Sequence, residues 1–303
     1  MQKFITALLV IFLSGIFITP QAQDTNTTTF VTNTPIAPQD VEHPSHVIVI
    51  SMDGARPDAI LQVDTPVLQS LALEGAVSWQ AETVMPAATV PAHASLLTGL
   101  EVDEHGVNTN SYNTEKLGLP TFLSIAAESG YAAAMIVGKD KLDQFHYPET
   151  VAYAFPTSGD RTVINAAIAS IDNGAQVLFV HLPNPDYFGH LSGWMSPQYL
   201  AELPNTDAQI GRLLAALDER QIRASTLLII TADHGGHDKV HGADIPEDRL
   251  IPLIVNGFGV ETGTELENAS ITQIAATVLY ALDLPIPEDM AEPLLAAFTQ
   301  DNN

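Results

Sequence analysis

The sequence has no cysteine and few basic residues, and both shortages narrow the possible functions. Without cysteine the protein has no disulfide bond, no thiolate zinc site and no cysteine nucleophile. Its 303 residues carry 11 Lys and Arg against 36 Asp and Glu, a formal net charge of −25. We therefore expect no nucleic-acid-binding surface and no attraction to anionic membranes. An anionic substrate would need local positive charge, which bound metal ions could supply.

Long apolar runs are also scarce, and the one at the amino terminus is typical of a targeting segment. Residues 1–22 combine a single lysine, a short apolar run and small residues, as a secretory signal peptide does. An uncleaved membrane anchor is the alternative, although the run is short for one. Residues 23–43 are rich in Thr, Asn and Pro and indicate a flexible linker. Residues 44–303 then form a single predicted domain, and we expect a secreted or periplasmic protein with no other membrane span.

Predicted strands alternate with predicted helices along the rest of the chain. Short apolar runs rich in β-branched residues predict the strands, and segments such as 198–217 have the spacing of amphipathic helices. The strand centres are Ile48, Met135, Phe179, Ile229 and Ile254. This alternation predicts a three-layer α/β/α fold with a mostly parallel central sheet. In such a fold the ligand crevice lies beyond the carboxyl ends of the strands.

The segment ADHGGHDKVHG follows the strand centred on Ile229 and predicts a metal site. Asp233 and His234 are adjacent, so in a regular strand they would point to opposite faces, but the two glycines that follow permit an irregular backbone. Carboxylate and imidazole donors suit Zn²⁺ or a similar transition metal. The alternative is a solvated turn that contains three histidines. Three histidines within eight residues, with His241 the last, favour the metal site.

Further carboxylates follow other strands. Asp53 follows the first strand, and Asp186 and His190 lie four residues apart after the strand centred on Phe179, so one helical turn would place them on one face. A structural salt bridge is the alternative for that pair. The full candidate set of metal ligands is Asp53, Thr89, Asp186, His190, Asp233, His234 and His241. Seven donors suit two divalent ions, and paired ions can stabilise an in-line phosphoryl displacement.

Thr89 is the candidate nucleophile of this site. Pro91 fits the first turn of a helix, which places Thr89 just ahead of the helix amino terminus, where an anion is favoured. A threonine at this place is most often a simple helix cap. A neighbouring metal ion would instead lower the pKa of its hydroxyl and permit nucleophilic attack. His93 and His105, which follow in the chain, are predicted to be structural.

Lys139 and Lys141 lie two residues apart after a core strand, in a chain with only five lysines. On an extended backbone they would point the same way. Solvated surface lysines are the usual explanation of such a pair. In so acidic a chain, the position at the end of a core strand favours a clamp for a substrate anion.

Four segments together resemble one family. ISMDGARPD, TVPAHASLLTG with EHGVNTN, DYFGH, and ADHGGHDKVHG resemble, in order and spacing, the alkaline phosphatase superfamily, above all its type I phosphodiesterase/nucleotide pyrophosphatase branch. The resemblance implies an alkaline phosphatase-like fold, a phospho-threonine intermediate on Thr89, and a phosphoryl oxygen bound by Asn110 and the N–H after the nucleophile. It also implies two zinc ions, one held by Asp53, Thr89, Asp233 and His234 and the other by Asp186, His190 and His241. His237 has no role in that pattern.

Two departures from the pattern bear on the substrate. His241 follows His234 closely, so the large cap subdomain of many diesterases is expected to be absent. Lys139 and Lys141 resemble the paired cations of threonine-dependent monoesterases and phosphonoacetate hydrolases. A sulfatase is disfavoured, because Thr89 cannot be converted to formylglycine.

We therefore expect a secreted phosphoric ester hydrolase of the phosphodiesterase/nucleotide pyrophosphatase type, acting on a small-molecule phosphate ester or phosphonate. A phosphomonoesterase or a phosphonoacetate hydrolase that uses the lysine pair is the alternative. A non-catalytic phosphoryl-binding module and a phosphoryl transferase are further alternatives.

Overall fold

The computed structural model describes residues 43–113 and 115–299. The expected signal peptide, residues 1–22, and all of the expected linker except its last residue lie outside the described residues. Within the described residues, no helix has both the length and the apolar character needed to cross a bilayer.

In the described part of the chain, eight strands form one sheet. They are β1 His46–Met52, β2 Ala76–Glu82, β3 Ala133–Val137, β4 Val151–Ala154, β5 Val177–Leu182, β6 Thr226–Thr231, β7 Leu250–Gly257 and β8 Thr264–Glu265. The order across the sheet is β4-β3-β5-β1-β6-β7-β2-β8. Only β7 runs against its neighbours; the other neighbouring pairs are parallel. The carboxyl ends of β1, β5 and β6 therefore lie side by side at one edge of the sheet.

Helices cover both faces of this sheet. They are α1 Pro57–Gln62, α2 Pro66–Leu73, α3 Thr89–Thr98, α4 Val102–His105, α5 Phe122–Glu128, α6 Asp160–Asp172, α7 Asn184–Ser192, α8 Pro197–Glu219, α9 Pro246–Arg249 and α10 Gln273–Ala281. Short 3₁₀ helices span Asp140–Phe145, Arg223–Ser225 and Leu295–Ala297. One layer consists of α1, α2, α6, α7 and α8, and the other of α3, α4, α5 and α10. The predicted three-layer α/β/α fold is confirmed.

The core lies where the sequence has continuous apolar runs. Residues 47–50 of β1 and 227–230 of β6 are fully buried, as expected for central strands covered on both faces. Burying one such side chain stabilises the fold by roughly 1.5–3 kcal/mol relative to its exposure. The 23-residue helix α8 contributes a buried stripe with helical spacing that includes Leu203, Ile210, Leu213 and Leu217.

Three strands of the sheet were not predicted. β2 has the mixed sequence AVSWQAE, β4 has only four residues, and β8 has only two. The connection from β6 to β7 consists of residues 232–249 alone, and the short helix α9 forms its last four residues. The described residues therefore include no large cap subdomain, as predicted.

Candidate active site

Asp53, Asp233 and His234 form a first donor group beyond the carboxyl ends of β1 and β6. One ligand atom from each lies within 4.8 Å of the others, and all three side chains are fully buried. Asp233 Oδ1 accepts hydrogen bonds from the N–H groups of Gly54 and His234, each at 3.0 Å. These bonds fix the carboxylate so that its second oxygen, Oδ2, remains for the donor group.

Asp186, His190 and His241 form a second donor group, with ligand atoms again within 4.8 Å of one another. Helix α7 begins at Asn184, so Asp186 and His190 lie one turn apart on one face, as predicted. The Nε2 atoms of His190 and His241 lie 3.3 Å and 3.8 Å from Asp186 Oδ1. Lys239 O accepts a hydrogen bond of 2.9 Å from His190 Nδ1, which leaves Nε2 for the donor group.

Gly54 allows the two donor groups to approach. Its φ is +68°, and a Cβ atom there would lie 3.0 Å from Asp186 Cα, so a larger residue would push α7 away from β1. The N–H of Asp186 donates to the carbonyl oxygen of Asp53 at 2.8 Å. The rings of His234 and His241 stack with centroids 3.8 Å apart. The seven predicted positions thus meet around one small region.

Three unpaired carboxylate oxygens lie in the donor groups. Among the described residues, four buried side-chain polar atoms have no hydrogen-bond partner, and three of them are Asp53 Oδ1, Asp186 Oδ1 and Asp233 Oδ2. Leaving a buried carboxylate oxygen without a partner costs free energy, so these positions call for a cation. Oxygen and imidazole nitrogen donors in this proportion suit divalent transition metals. The donor groups therefore fit divalent metal ions.

Lys139 lies between the two groups. Its Nζ is 2.6 Å from Asp53 Oδ2 and 2.5 Å from Asp186 Oδ2. Burial would raise the pKa of Asp53, but the charge of Lys139 and a hydrogen bond from His181 lower it well below its ordinary value. Burial and the neighbouring Asp53 charge instead raise the pKa of Asp233 well above its ordinary value. One ammonium group thus compensates only part of the negative charge that three ionised carboxylates would carry.

The pKa values of the two histidines of the second donor group are shifted in opposite directions. Burial and the proximity of His234 lower the pKa of His241 to about 4, which keeps its imidazole neutral, the form that binds metals. Asp186, whose Oδ1 lies 3.3 Å from His190 Nε2, raises the pKa of the half-exposed His190. Burial and the Asp53 charge oppose ionisation of Asp186, yet the contact with His190 and the charge of Lys139 bring its pKa to about 2.

The sequence suggested that Thr89 lies just ahead of a helix. In the structure it is the first residue of α3. The N-cap is Ala88, and no side chain caps the helix, so Thr89 does not have the simple capping role. Its fully buried Oγ1 lies 3.4 Å from His234 Nε2, beside the first donor group. The hydroxyl therefore lies next to the first donor group at a helix amino terminus, where an anion is favoured.

The structure separates the two lysines that the sequence suggested would act as a pair. The chain enters a 3₁₀ helix at Asp140, so the expected extended backbone is wrong and the two side chains reach different partners. Lys139 contacts the carboxylates described above. Lys141 Nζ donates to Asn110 Oδ1 at 2.9 Å, and the same oxygen accepts the N–H of Val90 at 3.1 Å. Asn110 and Lys141 therefore lie together beside the residue after Thr89.

His181 was not among the site residues predicted from the sequence. It contacts Asp53 of the first donor group directly. The N–H of Gly138 donates to His181 Nδ1 at 3.2 Å, so the ring proton lies on Nε2 and is donated to Asp53 Oδ2 at 2.8 Å. A buried polar residue inside a continuous apolar strand needs a partner, and this signal could have identified His181.

His93 and His105 were both predicted to be structural. His93 Nδ1 donates to the carbonyl oxygen of Thr89 at 2.7 Å, and its Nε2 accepts the Ser51 hydroxyl at 2.9 Å. It therefore supports the backbone of the candidate nucleophile. His105 ends α4 and bonds to the Ser95 hydroxyl at 2.9 Å, with no part in either donor group.

His237 lies outside both donor groups, in line with the preference for His241. Its Nδ1 bonds to Asp248 Oδ1 at 2.8 Å, and two backbone hydrogen bonds of 2.9 Å link it to Val240. These contacts close the turn that carries His241.

Comparison with known proteins identifies related sequences and folds. The sequence profile of the type I phosphodiesterase/nucleotide pyrophosphatase family matches residues 47–129 and 138–253. A 2,3-bisphosphoglycerate-independent phosphoglycerate mutase of Roseobacter denitrificans is 27% identical over 213 residues, which are 66% of this chain and 41% of the mutase. Human ectonucleotide pyrophosphatase/phosphodiesterase family member 7 is 24% identical over 216 residues, 62% of this chain and 47% of that protein. This chain thus spans less than half the length of these relatives.

The fold has a counterpart among solved structures. Inactive murine ectonucleotide pyrophosphatase/phosphodiesterase 5, solved in complex with AMP, matches with a TM-score of 0.70 at 16% identity and covers 82% of this chain and 97% of its own. At this identity the match supports the fold, which is alkaline phosphatase-like, as predicted.

Proposed function

Because the chain belongs to the type I phosphodiesterase/nucleotide pyrophosphatase family of the alkaline phosphatase superfamily, we propose that it is a metal-dependent phosphoric ester hydrolase with Thr89 as its nucleophile. The observation that carries this proposal is the Thr89 hydroxyl, 3.4 Å from His234 Nε2 and beside donor groups with three unpaired carboxylate oxygens. Two divalent ions, with Zn²⁺ the best match to the donors, would be held by Asp53, Thr89, Asp233 and His234 and by Asp186, His190 and His241.

Bound divalent ions would lower the pKa of the Thr89 hydroxyl and neutralise charge on the phosphoryl group. The Thr89 hydroxyl gives up its proton to water as Oγ forms a bond to phosphorus, the bond from phosphorus to the alcohol oxygen breaks, and that oxygen takes a proton back from water as the alcohol leaves. Water then hydrolyses the phospho-threonine, which restores the hydroxyl and releases a phosphate product.

The surrounding residues position the reactants. His93 holds the carbonyl oxygen of Thr89 and so orients the first turn of α3. Asn110 and Lys141 lie beside the N–H of Val90, where an amide, an ammonium and a helix amino terminus can meet the phosphoryl oxygens. His181 orients Asp53 from behind. Each group is fixed before substrate binds, which is the condition for electrostatic stabilisation of a transition state.

The substrate is a small-molecule phosphate ester in this proposal, and a phosphodiester is the first choice. The family match and the phosphodiesterase names of the relatives support a diester, and AMP in the murine structural relative supports a nucleotide-sized ligand.

Thr89→Ala tests the proposal. Hydrolysis of bis-p-nitrophenyl phosphate should fall at least about a thousandfold because the covalent route is removed, while bound metal, measured by atomic emission, is retained. Thr98→Ala is the matched control and should keep its turnover. Thr98 is a buried threonine of the same helix, belongs to neither donor group, and bonds to Ala94 O and the N–H of Leu100. Retained turnover in Thr89→Ala would reject the nucleophile. A wild-type protein that binds phosphate without turnover would instead indicate a binding module.

A phosphomonoesterase or phosphonoacetate hydrolase is the second candidate, favoured by Lys141 beside Asn110. A monoester carries one more negative charge than a diester, and Lys141 is placed to meet it. Lys141→Ala should lower kcat/KM for p-nitrophenyl phosphate at least about tenfold more than for bis-p-nitrophenyl phosphate. Equal losses would remove this candidate.

The likeness to a phosphoglycerate mutase raises transfer of the phosphoryl group to a second alcohol as another outcome. Product formation that depends on an added alcohol would establish transfer, and release of phosphate without one would establish hydrolysis.

Export is a separate part of the proposal. Residues 1–22 would direct secretion or periplasmic transport and be removed. Amino-terminal sequencing of the protein from its native cells should then begin near residue 23, and an intact Met1 would contradict removal.

A further inference from the structure

Three large apolar side chains are exposed beside the second donor group, and each is the immediate chain neighbour of one of its members. They are Tyr187, Leu191 and Val240, with exposed fractions of 60%, 54% and 51%. We call these three residues the apolar rim. Single exposed apolar residues are common on protein surfaces, but three that flank one site are not scattered at random along the chain.

The two segments that carry the apolar rim are joined. Tyr187 and Leu191 lie four residues apart on α7, so they share one face of that helix. Val240 lies on the turn that ends at His241. Lys239 connects this turn to α7: its carbonyl oxygen accepts from His190 at 2.9 Å, and its Nζ donates to Leu191 O at 2.8 Å. The rim is therefore part of one fixed assembly with the second donor group.

The nucleophile contacts the first donor group, whereas each residue of the apolar rim adjoins a member of the second. Thr89 Oγ1 is next to His234 of the first donor group, and the apolar rim borders the second. In an in-line displacement the bond to the leaving oxygen breaks on the side of phosphorus opposite the attacking oxygen. An alcohol displaced by Thr89 therefore departs on the side of the second donor group, where the rim is.

We propose that the apolar rim binds the leaving alcohol, so that the site prefers phosphate esters of aromatic or long aliphatic alcohols; this inference rests on the proposed function. The phosphoryl end is recognised by charge and hydrogen bonds, and the rim supplies contact to an apolar group. Burial of each methylene of that group against the rim favours binding. The step is unchanged: the Thr89 hydroxyl gives its proton to water as Oγ bonds to phosphorus, and the electron pair of the broken bond stays on the alcohol oxygen, which takes a proton from water.

The test compares methyl phenyl phosphate with methyl 4-butylphenyl phosphate in the metal-loaded wild-type protein. The two phenols have nearly the same acidity, so a difference in kcat/KM reports contact to the butyl group and not leaving-group reactivity. We expect wild type to prefer the butyl ester about tenfold, since four carbons partly buried are worth at least this factor. Tyr187→Ser and the double variant Leu191→Ser/Val240→Ser should reduce the preference towards one while largely keeping turnover of the phenyl ester.

Leu73→Ser is the matched control. Leu73 is also an exposed leucine, at 75%, but it precedes the amino end of β2, at the edge of the sheet opposite the donor groups. This variant should retain the full preference. Inhibition by free 4-butylphenol gives a second measurement, which should weaken in the rim variants and not in Leu73→Ser.

The outcomes separate the two proposals. Hydrolysis of both esters with an unchanged butyl preference in the rim variants would overturn the role of the rim and leave the hydrolase intact. A wild-type protein that hydrolyses neither ester would overturn the proposed function together with the rim's role.

Discussion

The ammonium nitrogen of Lys139 lies 2.6 Å from Asp53 Oδ2. It also lies 2.5 Å from Asp186 Oδ2, so one cation links a carboxylate of the first donor group to a carboxylate of the second. A cation in this position reduces the repulsion between the two groups and competes with metal ions for the same carboxylates.

Lys139→Met should therefore destabilise the metal-free protein and increase its stabilisation by metal. Removing one partner of a buried ion pair leaves uncompensated charge, and because the lysine side chain is one-fifth exposed we expect a loss of about 2–3 kcal/mol. Thermal unfolding in chelator should show a lower Tm, and the rise in Tm on adding Zn²⁺ should exceed that of wild type.

Lys141→Met is the control for this prediction. It removes the same charge two residues away, where the ammonium contacts Asn110 and not a carboxylate. Its Tm in chelator should stay close to that of wild type. An unchanged Tm in Lys139→Met would show that the bridge contributes nothing to the metal-free fold.

His181→Phe should weaken metal binding about 10–100-fold. The ring donates its Nε2 proton to Asp53 Oδ2 and so orients a carboxylate of the first donor group, the kind of supporting contact whose loss typically has this effect. Competition with a chromogenic chelator measures the affinity. His146→Phe is the control, because that buried histidine bonds to Val151 O, outside both donor groups. Equal affinities of His181→Phe and wild type would exclude the positioning role.

Asp160, which belongs to neither donor group, predicts a pH dependence of stability. Burial raises its pKa to about 7, although the Thr206 hydroxyl and the N–H of Asn184 donate to it. Because the folded-state pKa lies above the ordinary value of 3.8, its contribution to stability is fully present below about pH 4 and is lost as pH rises through 7.

Asp160→Asn removes this loss. Between pH 5 and pH 8 the variant should gain stability relative to wild type by roughly 2–3 kcal/mol, since one pKa unit corresponds to about 1.4 kcal/mol. Urea unfolding at the two pH values measures the difference. Asp172→Asn is the control: a hydrogen bond from Arg220 lowers the pKa of Asp172, so this group stays ionised across the window. A constant difference between Asp160→Asn and wild type would mean that Asp160 is ionised throughout.

Much of the fold was predictable because the strands and helices follow from the pattern of apolar and polar residues within each segment. The run HVIVISM predicted β1 with its observed bounds, since a strand buried on both faces requires continuous apolar residues. The four-residue spacing of Asp186 and His190 predicted one face of a helix, and α7 provides it. β2 escaped prediction because its sequence AVSWQAE is only half buried and lacks a clear period. The reversed direction of β7 has no local signal, since it depends on the path of the chain between strands.

The sequence by itself determined which side chains follow each strand, and parallel strands deliver such residues to one edge of the sheet. It therefore predicted the set of metal-ligand candidates and placed Thr89 near a helix amino terminus, while the family resemblance implied how the donors divide between two ions. Only the tertiary structure decided which partners those side chains meet. Lys139 contacts carboxylates, whereas Lys141 contacts Asn110. The contacts of His181 with Asp53 and of His93 with the backbone of Thr89 were likewise visible only in the structure. The reason is physical. Strand and helix periods are set by neighbouring residues, whereas the partner of a buried charge is set by which distant segments pack against it.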